Sequence, residues 1–313
     1  MTDFSRLLSE TIDSYVRLRV SLGYTFRKQA STLSSFARFV EKNGHDGPLT
    51  QEVALAFVLA SGESAEGRAC RYGVLRRFAE HLLVHDSRTE MLDPRALPRS
   101  RVPRPPRIPS DAELERLMTA ARRISPRHPR RGQTLHTLVG LLASTGLRSG
   151  EALRLDRADV DLVDGVLHVR RTKFRKDRLV PIHPTTLDAL RSYTRARDLA
   201  FPEPTSPAFF LSLRGRRLSY TALHVAFRQA CSLAGLDEDS ARALRPHDLR
   251  HRFAVERLAA WHREGTDVQA LLPLLATYLG HVRYNDTAYY ITGTAELLSL
   301  TAERAFDARG GAR

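Results

Sequence analysis

The 313-residue sequence has few cysteines and no long hydrophobic run. Cys70 and Cys231 are too few for a disulfide framework, and they have no metal-ligand spacing. The longest apolar runs, such as residues 54–60, are far too short to cross a membrane. The first residues contain no basic stretch followed by an apolar one, so no secretory signal is predicted. These absences exclude secreted and membrane-spanning classes, and a protein of the reducing cytoplasm is expected.

Lysine is also scarce, because only four of the 49 basic residues are lysines. Against 35 acidic residues this gives a net charge of +14, which favours a polyanionic partner, and nucleic acid before membrane. The first 96 residues are nearly balanced, with 13 basic and 12 acidic side chains, whereas residues 97–109 carry four arginines and no acid. The surplus therefore lies after residue 96, where a DNA backbone would have to be held.

The N-terminal part predicts four amphipathic helices and carries no chemistry of its own. Apolar residues recur at helical spacing in four segments, at 5–20, 27–43, 50–60 and 64–84. A basic, proline-rich strip at 97–109 follows without periodicity and is predicted to be an extended linker. Its arginines can follow a phosphate strand. They are Arg99, Arg101, Arg104 and Arg107.

Residues 110–313 predict a mixed domain. A capping box from Ser110 to Glu113 begins a helix, and Ser149 is a candidate cap for a later one. Further helices are predicted at 133–145, 184–199, 219–234, from 246, at 267–280 and at 294–308. Extended runs at 162–163, 166–170 and 178–182 predict three antiparallel strands. The expected fold class is mostly α with a small antiparallel β-sheet (α+β), preceded by an all-α helical bundle.

The C-terminal part contains groups that suit a phosphate better than a core. His247 and Arg250 lie three residues apart, on one helix face, and His281 follows a helix that ends at Gly280. A guanidinium holds two phosphate oxygens in its planar fork, histidines donate or carry a proton, and the phenol of Tyr290 is a suitable nucleophile. His251, in contrast, is predicted to point away from this set.

Two upstream motifs add cations. Arg148 lies on a glycine-flanked turn that leads into a helix, and Glu151 is its obvious partner. The two form either a purely structural ion pair or an arrangement in which Glu151 orients Arg148 toward an anion. Lys173 and Lys176 lie on the turn between the last two predicted strands. A lysine at a hairpin tip is ordinarily exposed to solvent without a specific function. A functional role for this position is therefore supported only by the other residues of the set.

The combined set resembles the catalytic residues of the tyrosine recombinases, the phage integrase family. The residues that match the family's pattern, in chain order, are Arg148, Lys173, His247, Arg250, His281 and Tyr290. The tyrosine falls nine residues after the Leu-Gly-His histidine, as the family's pattern requires. The resemblance implies a helical DNA-binding domain at 1–96, a linker at 97–109 and a catalytic domain at 110–313 with a C-terminal helix.

The resemblance also implies a chemistry. Tyr290 would attack a DNA phosphodiester and form a 3'-phosphotyrosine, with His247 as the proton acceptor. The other matching residues would neutralise the phosphate or protonate the leaving 5'-oxygen, and Lys176 competes with Lys173 for the latter role. Glu151 would orient Arg148. Neither a cofactor nor a metal is expected, because no carboxylate cluster of the two-metal type is visible.

The implied partner is double-stranded DNA, held by a homotetramer or a hetero-tetramer with related recombinases. In the N-terminal domain, candidate phosphate contacts are Arg68, Arg71, Arg76 and Arg77. The layout resembles Xer proteins and transposase-type recombinases of mobile elements that integrate, excise or transpose DNA. Alternatives are an enzyme that acts on one duplex, such as a type IB topoisomerase or a resolvase, and a catalytically silent DNA-binding relative.

Overall fold

The computed structural model describes residues 2–98, 106–170, 177–237 and 243–281. The chain divides into two compact units, Met1–Arg104 and Pro105–Arg313. Within the described residues, no helix is long and apolar enough to cross a membrane. The described residues are mostly helical, with one small antiparallel sheet, and the predicted fold class is confirmed.

The first unit consists of four helices in its described part. They are α1 (Asp3–Ser21), α2 (Arg27–Lys42), α3 (Gln51–Leu59) and α4 (Ala65–Leu82). The side chains of Thr2, Thr50 and Ser64 accept main-chain N–H groups at the starts of α1, α3 and α4, which satisfies donors that the helices leave unpaired. Apolar faces pack into one core around Phe36 and Phe78.

The second unit contains seven helices in its described part. They are α5 (Asp111–Arg123), α6 (Pro129–Thr145), α7 (Ser149–Arg154), α8 (Pro184–Ala200), α9 (Tyr220–Leu233), α10 (Asp248–Arg263) and α11 (Val268–Leu279). The capping box of α5 is present, because Ser110 and Glu113 exchange hydrogen bonds of 2.8 and 3.2 Å. The predicted helix at 294–308 lies outside the described residues.

The sheet has three antiparallel strands in the order β1 (Val160–Asp161), β2 (Val166–Val169) and β3 (Arg178–Pro181). The prediction of a strand at 162–163 is wrong, because β1 ends before it. The Asp161 carboxylate accepts the N–H groups of Val163 and Asp164 at 2.8 and 3.0 Å and so forms a turn instead.

Two apolar clusters hold the described helices of the second unit together. The larger one surrounds α6 and includes Leu138 and Phe227, and the smaller one lies between α10 and α11 around Leu258 and Leu275. Since α10 packs on both α6 and α11, the C-terminal ends of α6 and α11 come close to the start of α10. That junction contains the predicted site residues that the structure describes, namely Arg148, His247, Arg250 and His281.

Candidate active site

Three arginines meet at the C-terminal end of α11. The hydrogen-bonded pairs are Arg178 Nε with Tyr278 O (2.9 Å), Arg250 Nη2 with Leu279 O (2.9 Å), and Arg148 Nη1 and Nη2 with Gly280 O (3.4 and 3.3 Å). The last carbonyls of a helix have no partner within it and carry its partial negative charge. Three successive carbonyls therefore hold three guanidinium groups close together.

Arg250 is the most enclosed of the three, with a relative exposure of 1%. It lies in the first turn of α10, and its Nη1 donates to Gly146 O at 2.7 Å. Gly146 ends α6 in the left-handed conformation, with φ 62°. The guanidinium therefore joins the negative ends of two helices, which offsets the cost of placing its charge in the interior.

Arg148 is one third exposed and faces solvent in part. It occupies the N-cap position of α7, and Glu151 accepts its main-chain N–H at 3.1 Å and its Nη1 at 2.9 Å. The prediction that Ser149 caps this helix is wrong, because Ser149 is the first residue inside it. The carboxylate of Glu151 takes the capping role instead.

Glu151 is buried between two arginines. Besides Arg148, it accepts Nη2 of Arg178 at 2.9 Å. Burial alone raises the pKa of this carboxyl, but the hydrogen bond and charge of Arg178, followed by the charge of Arg148, lower it to about 2. Glu151 is therefore ionised across the whole physiological range and keeps both guanidinium groups oriented.

His247 and His251 form a ring pair at the start of α10. Their centroids are 4.9 Å apart with an interplanar angle of 89°. The prediction that His251 points elsewhere is wrong, because residues four apart share a helix face. His247 is exposed, yet partial desolvation by the surrounding protein, followed by the charge of Arg250, lowers its pKa. The ring is therefore neutral at pH 7 and able to accept a proton.

His281 follows the α11 end directly. Gly280 ends the helix in the left-handed conformation, with φ 70°, and the His281 N–H donates to Ala276 O at 2.9 Å. The same turn that presents carbonyls to the arginines therefore sets the position of this histidine. Lys173, Lys176 and Tyr290 lie outside the described residues.

The arginines predicted to contact DNA differ in their surroundings. On α4, Arg71 pairs with Glu63 at 2.9 Å, Arg76 pairs with Glu80 at 3.3 Å, Arg68 is half-buried and Arg77 is exposed. Arg107 is held inside the second unit by Leu236 O at 2.7 Å and Glu113 at 2.5 Å. Arg99, Arg101 and Arg104 lie outside the described residues. Among these arginines, Arg77 presents the most accessible described side chain.

Arg178 is a residue of this candidate site that no sequence motif predicted. Its side chain is only 11% exposed, and it lies on the same face of β3 as Val180, which is fully buried. An arginine on the inward face of a strand requires an internal partner, so the alternation of the strand contained a usable signal. Across the described part of the chain, no cluster of acidic, histidine or cysteine side chains could hold a metal ion.

Comparison with known sequences identifies relatives of the whole chain. Residues 110–296 match the model of the Phage integrase family. The chain is 60% identical over 306 residues to the Sinorhizobium fredii protein y4rE, which is named as an integrase/recombinase, and the match covers 98% of both chains. It is 30% identical over 270 residues to the tyrosine recombinase XerD of Ralstonia nicotianae, covering 82% of this chain and 80% of the relative.

Comparison with solved structures finds the same fold. The Tn1549 transposon integrase in complex with transposon right end DNA gives a TM-score of 0.65 at 16% identity, covering 94% of this chain and 98% of that one. The XerH site-specific recombinase bound to palindromic difH gives a TM-score of 0.60 at 19% identity, covering 88% and 78%. At these identities the likeness concerns the fold alone.

Proposed function

Because the chain belongs to the phage integrase family of tyrosine recombinases, enzymes that break and rejoin DNA, we propose that it is a site-specific recombinase that cuts DNA through Tyr290. The observation that carries this proposal is the convergence of Arg148 and Arg250 on the end of α11, directly before His281. Arg148 and His281 would supply donors to one phosphate, and the buried Arg250 would add positive charge beside them.

The arginines would stabilise the charge that develops on the non-bridging phosphate oxygens. Arg148 is partly exposed and could contact the phosphate directly. Arg250 is buried and would add a fixed positive charge from the protein interior. Both are held in place before DNA binds, so little reorganisation is needed during the reaction. Loss of one such donor costs on the order of 3 kcal/mol in comparable sites.

His247 would take the proton from the attacking phenol. The ordinary pKa of tyrosine is about 10, so the phenol needs a base, and the lowered pKa of His247 keeps that ring neutral at pH 7. The phenol oxygen bonds to phosphorus and the bond to the 5'-oxygen breaks. Lys173, or Lys176 in its place, protonates that oxygen and leaves a free 5'-hydroxyl.

Rejoining would reverse the same steps on another strand. A 5'-hydroxyl attacks the 3'-phosphotyrosine, a new phosphodiester forms, and the tyrosine regains its proton. Because one phosphate ester is exchanged for another, the energy of the broken bond is retained and neither ATP nor a metal is required. The arginines supply the positive charge that a metal ion gives other phosphoryl-transfer sites.

Exchange between two duplexes requires four active subunits, so we propose that the chain acts as a tetramer on double-stranded DNA. The first unit and the basic strip at 97–109 would hold the duplex, with Arg77 on α4 as the most accessible described contact. The 60% identity to y4rE, named as an integrase/recombinase, supports a role in which DNA is integrated, excised or transposed, as in a mobile element. Such a role places the chain in the cytoplasm with the DNA.

The test is covalent capture of DNA. Nicked duplexes made from the DNA that flanks the chain's own gene would be incubated with the wild-type chain, Tyr290→Phe and Tyr289→Phe, followed by a denaturing gel. We expect an adduct with wild type and with Tyr289→Phe, and none with Tyr290→Phe, although all three bind DNA. Tight binding without any adduct would favour the silent DNA-binding alternative, and loss in Tyr289→Phe alone would place the nucleophile one residue earlier.

A further inference from the structure

We propose that Arg178 is a positioning residue of the cleavage site, one that fixes Arg148 and His281 through Glu151 and the end of α11. The inference rests on the proposed function, since it concerns the same cleavage reaction. It adds a third arginine to the two that the family resemblance identified.

Arg178 forms an ion pair with Glu151. Nη2 of Arg178 donates to Oε2 at 2.9 Å and Nη1 lies 3.4 Å from Oε1, so the planar guanidinium faces both carboxylate oxygens. Oε1 also accepts Nη1 of Arg148 at 2.9 Å. Because Arg178 fixes the plane of the carboxylate, it also fixes the direction from which Glu151 holds Arg148.

Arg178 is also hydrogen-bonded to the C-terminal end of α11. Nε of Arg178 donates to Tyr278 O at 2.9 Å, and the Tyr278 phenol donates back to Pro181 O of β3 at 3.2 Å. The guanidinium also lies directly against Gly280, where an added Cβ would be only 2.8 Å from Nη1. Gly280 O binds Arg148, and His281 comes next, so this contact sets the turn that places both.

Arg178 also has a defined place in the sheet. It is the first residue of β3 and pairs with Val169, the last residue of β2. It therefore stands at the base of the connection that contains Lys173 and Lys176. One guanidinium thus joins the base of the lysine-bearing connection to Glu151 and to the end of α11.

The hydrogen bonds of Arg178 decide between a positioning role and direct contact with DNA. The side chain of Arg178 is 11% exposed, whereas that of Arg148 is 33% exposed. Its three nitrogen atoms already face Glu151 and Tyr278 O. Arg178 therefore acts through its neighbours and does not touch the phosphate.

The experiment compares Arg178→Met and Arg178→Lys with a matched control, Arg191→Met. Arg191 makes contacts of the same kind elsewhere in this unit, because it donates to Leu162 O at 2.9 and 2.6 Å and to Asp188 at 3.4 Å. A double variant, Glu151→Gln with Arg178→Met, removes both charges of the buried pair. It therefore avoids the unpaired buried carboxylate that could unfold the single variant.

The first readout needs no DNA. Hydrogen–deuterium exchange reports on the Gly280 and His281 amides, which donate to Thr277 O and Ala276 O. We expect faster exchange in peptides that contain these amides in Arg178→Met and in the double variant, and wild-type exchange in Arg191→Met. Wild-type exchange in Arg178→Met would overturn the inference, whatever the outcome for cleavage.

The second readout is the cleavage rate at saturating DNA, with DNA affinity measured separately. Arg178→Met should cleave up to about 100-fold more slowly with unchanged affinity, because a misplacement of about 1 Å at a reacting centre can cost that much in rate. Arg178→Lys should recover only part of the rate, because an ammonium cannot reproduce the planar fork. The double variant should regain stability but remain slow.

Two results separate the inference from the proposed function. If the double variant regains both stability and the wild-type rate, or if Arg178→Met cleaves at that rate, the pair is only structural and the positioning role is refuted. If wild type forms no adduct, the proposed function fails, and the exchange readout alone then decides whether Arg178 positions the α11 end.

Discussion

At the scale of residues, the site shows how main-chain carbonyls allow arginines into a protein interior. Arg250 is 1% exposed and is held by Gly146 O and Leu279 O at 2.7 and 2.9 Å. Both carbonyls belong to helix ends, where partial negative charge accumulates. The positive charge is therefore compensated in the free protein and is held next to Arg148, at the place proposed for a phosphate.

The histidine pair predicts that stability depends on pH. Burial, followed by the nearby His247, lowers the pKa of His251 to about 4. Between its ordinary value of about 6.5 and pH 4 the unfolded chain binds the proton and the folded chain does not, so stability is lost as pH falls through this range. Urea unfolding at pH 7 and pH 5 should therefore show a loss about 2 kcal/mol smaller in His251→Asn than in wild type. Equal losses in the two proteins would contradict the assignment.

Sequence motifs indicated which side chains meet at this candidate site, but not which groups hold them there. Arg148, Arg250 and His281 were identified by motif and spacing, and the structure brings all three to one helix end. Arg178 was missed because its main-chain acceptor at Tyr278 comes from 100 residues further along the chain. A main-chain carbonyl has no side-chain signature, so no sequence motif shows where it will lie.

At the scale of elements, two left-handed glycines place the helix ends that hold the arginines. Gly146 ends α6 and Gly280 ends α11, and the carbonyl of each accepts an arginine. Side chains at both positions would be crowded, since a Cβ at Gly146 would lie 2.6 Å from Phe253. Glycine is required there both for its conformation and for the space it leaves.

Gly280→Ala tests this arrangement against Gly235→Ala. Both positions are left-handed, with φ 70° and 66°, but a Cβ at Gly280 would lie 2.8 Å from Arg178 Nη1 whereas Gly235 has nothing within 4 Å. Each alanine should cost about 1–2 kcal/mol of folding free energy from backbone strain. Only Gly280→Ala should also slow cleavage, because it displaces Arg178. Equal cleavage rates in the two variants would show that this contact does not matter.

Element boundaries were predictable where side chains set them. The capping box at Ser110 and the helix end at Gly280 lie where the sequence placed them. The predicted start of α7 was wrong because the Glu151 carboxylate, and not the Ser149 side chain, caps the helix. Strand β1 was misplaced because the Asp161 carboxylate forms a turn that hydrophobicity alone does not reveal.

For the whole molecule, the distribution of charge and the packing of the chain indicate different boundaries between its two parts. The charge surplus begins at residue 97, whereas the compact units divide after residue 104. Arg107 belongs to the second unit through its contacts with Leu236 and Glu113. Composition therefore indicated where cations accumulate, but the internal use of one of those cations required the structure.

DNA binding should weaken steeply with salt, because each phosphate contact releases counterions. Arg77→Gln should reduce the slope of log affinity against log salt by about 1, the effect expected for one phosphate contact. Arg71→Gln should change it less, since Glu63 already pairs with that guanidinium at 2.9 Å. Titrations over a range of ionic strength measure both slopes. An affinity that does not vary with salt would contradict the proposed hold on DNA.

Cleavage through a 3'-phosphotyrosine is best tested by the chemistry of the DNA ends after capture. A nicked duplex labelled at the 5' end of the cleaved strand should leave its label on the protein after denaturation. The released strand should carry a 5'-hydroxyl that polynucleotide kinase phosphorylates without prior phosphatase treatment. We expect that result with wild type and its loss in Tyr290→Phe. Protein attached to a 5'-phosphate, or strands cut without attached protein, would contradict it.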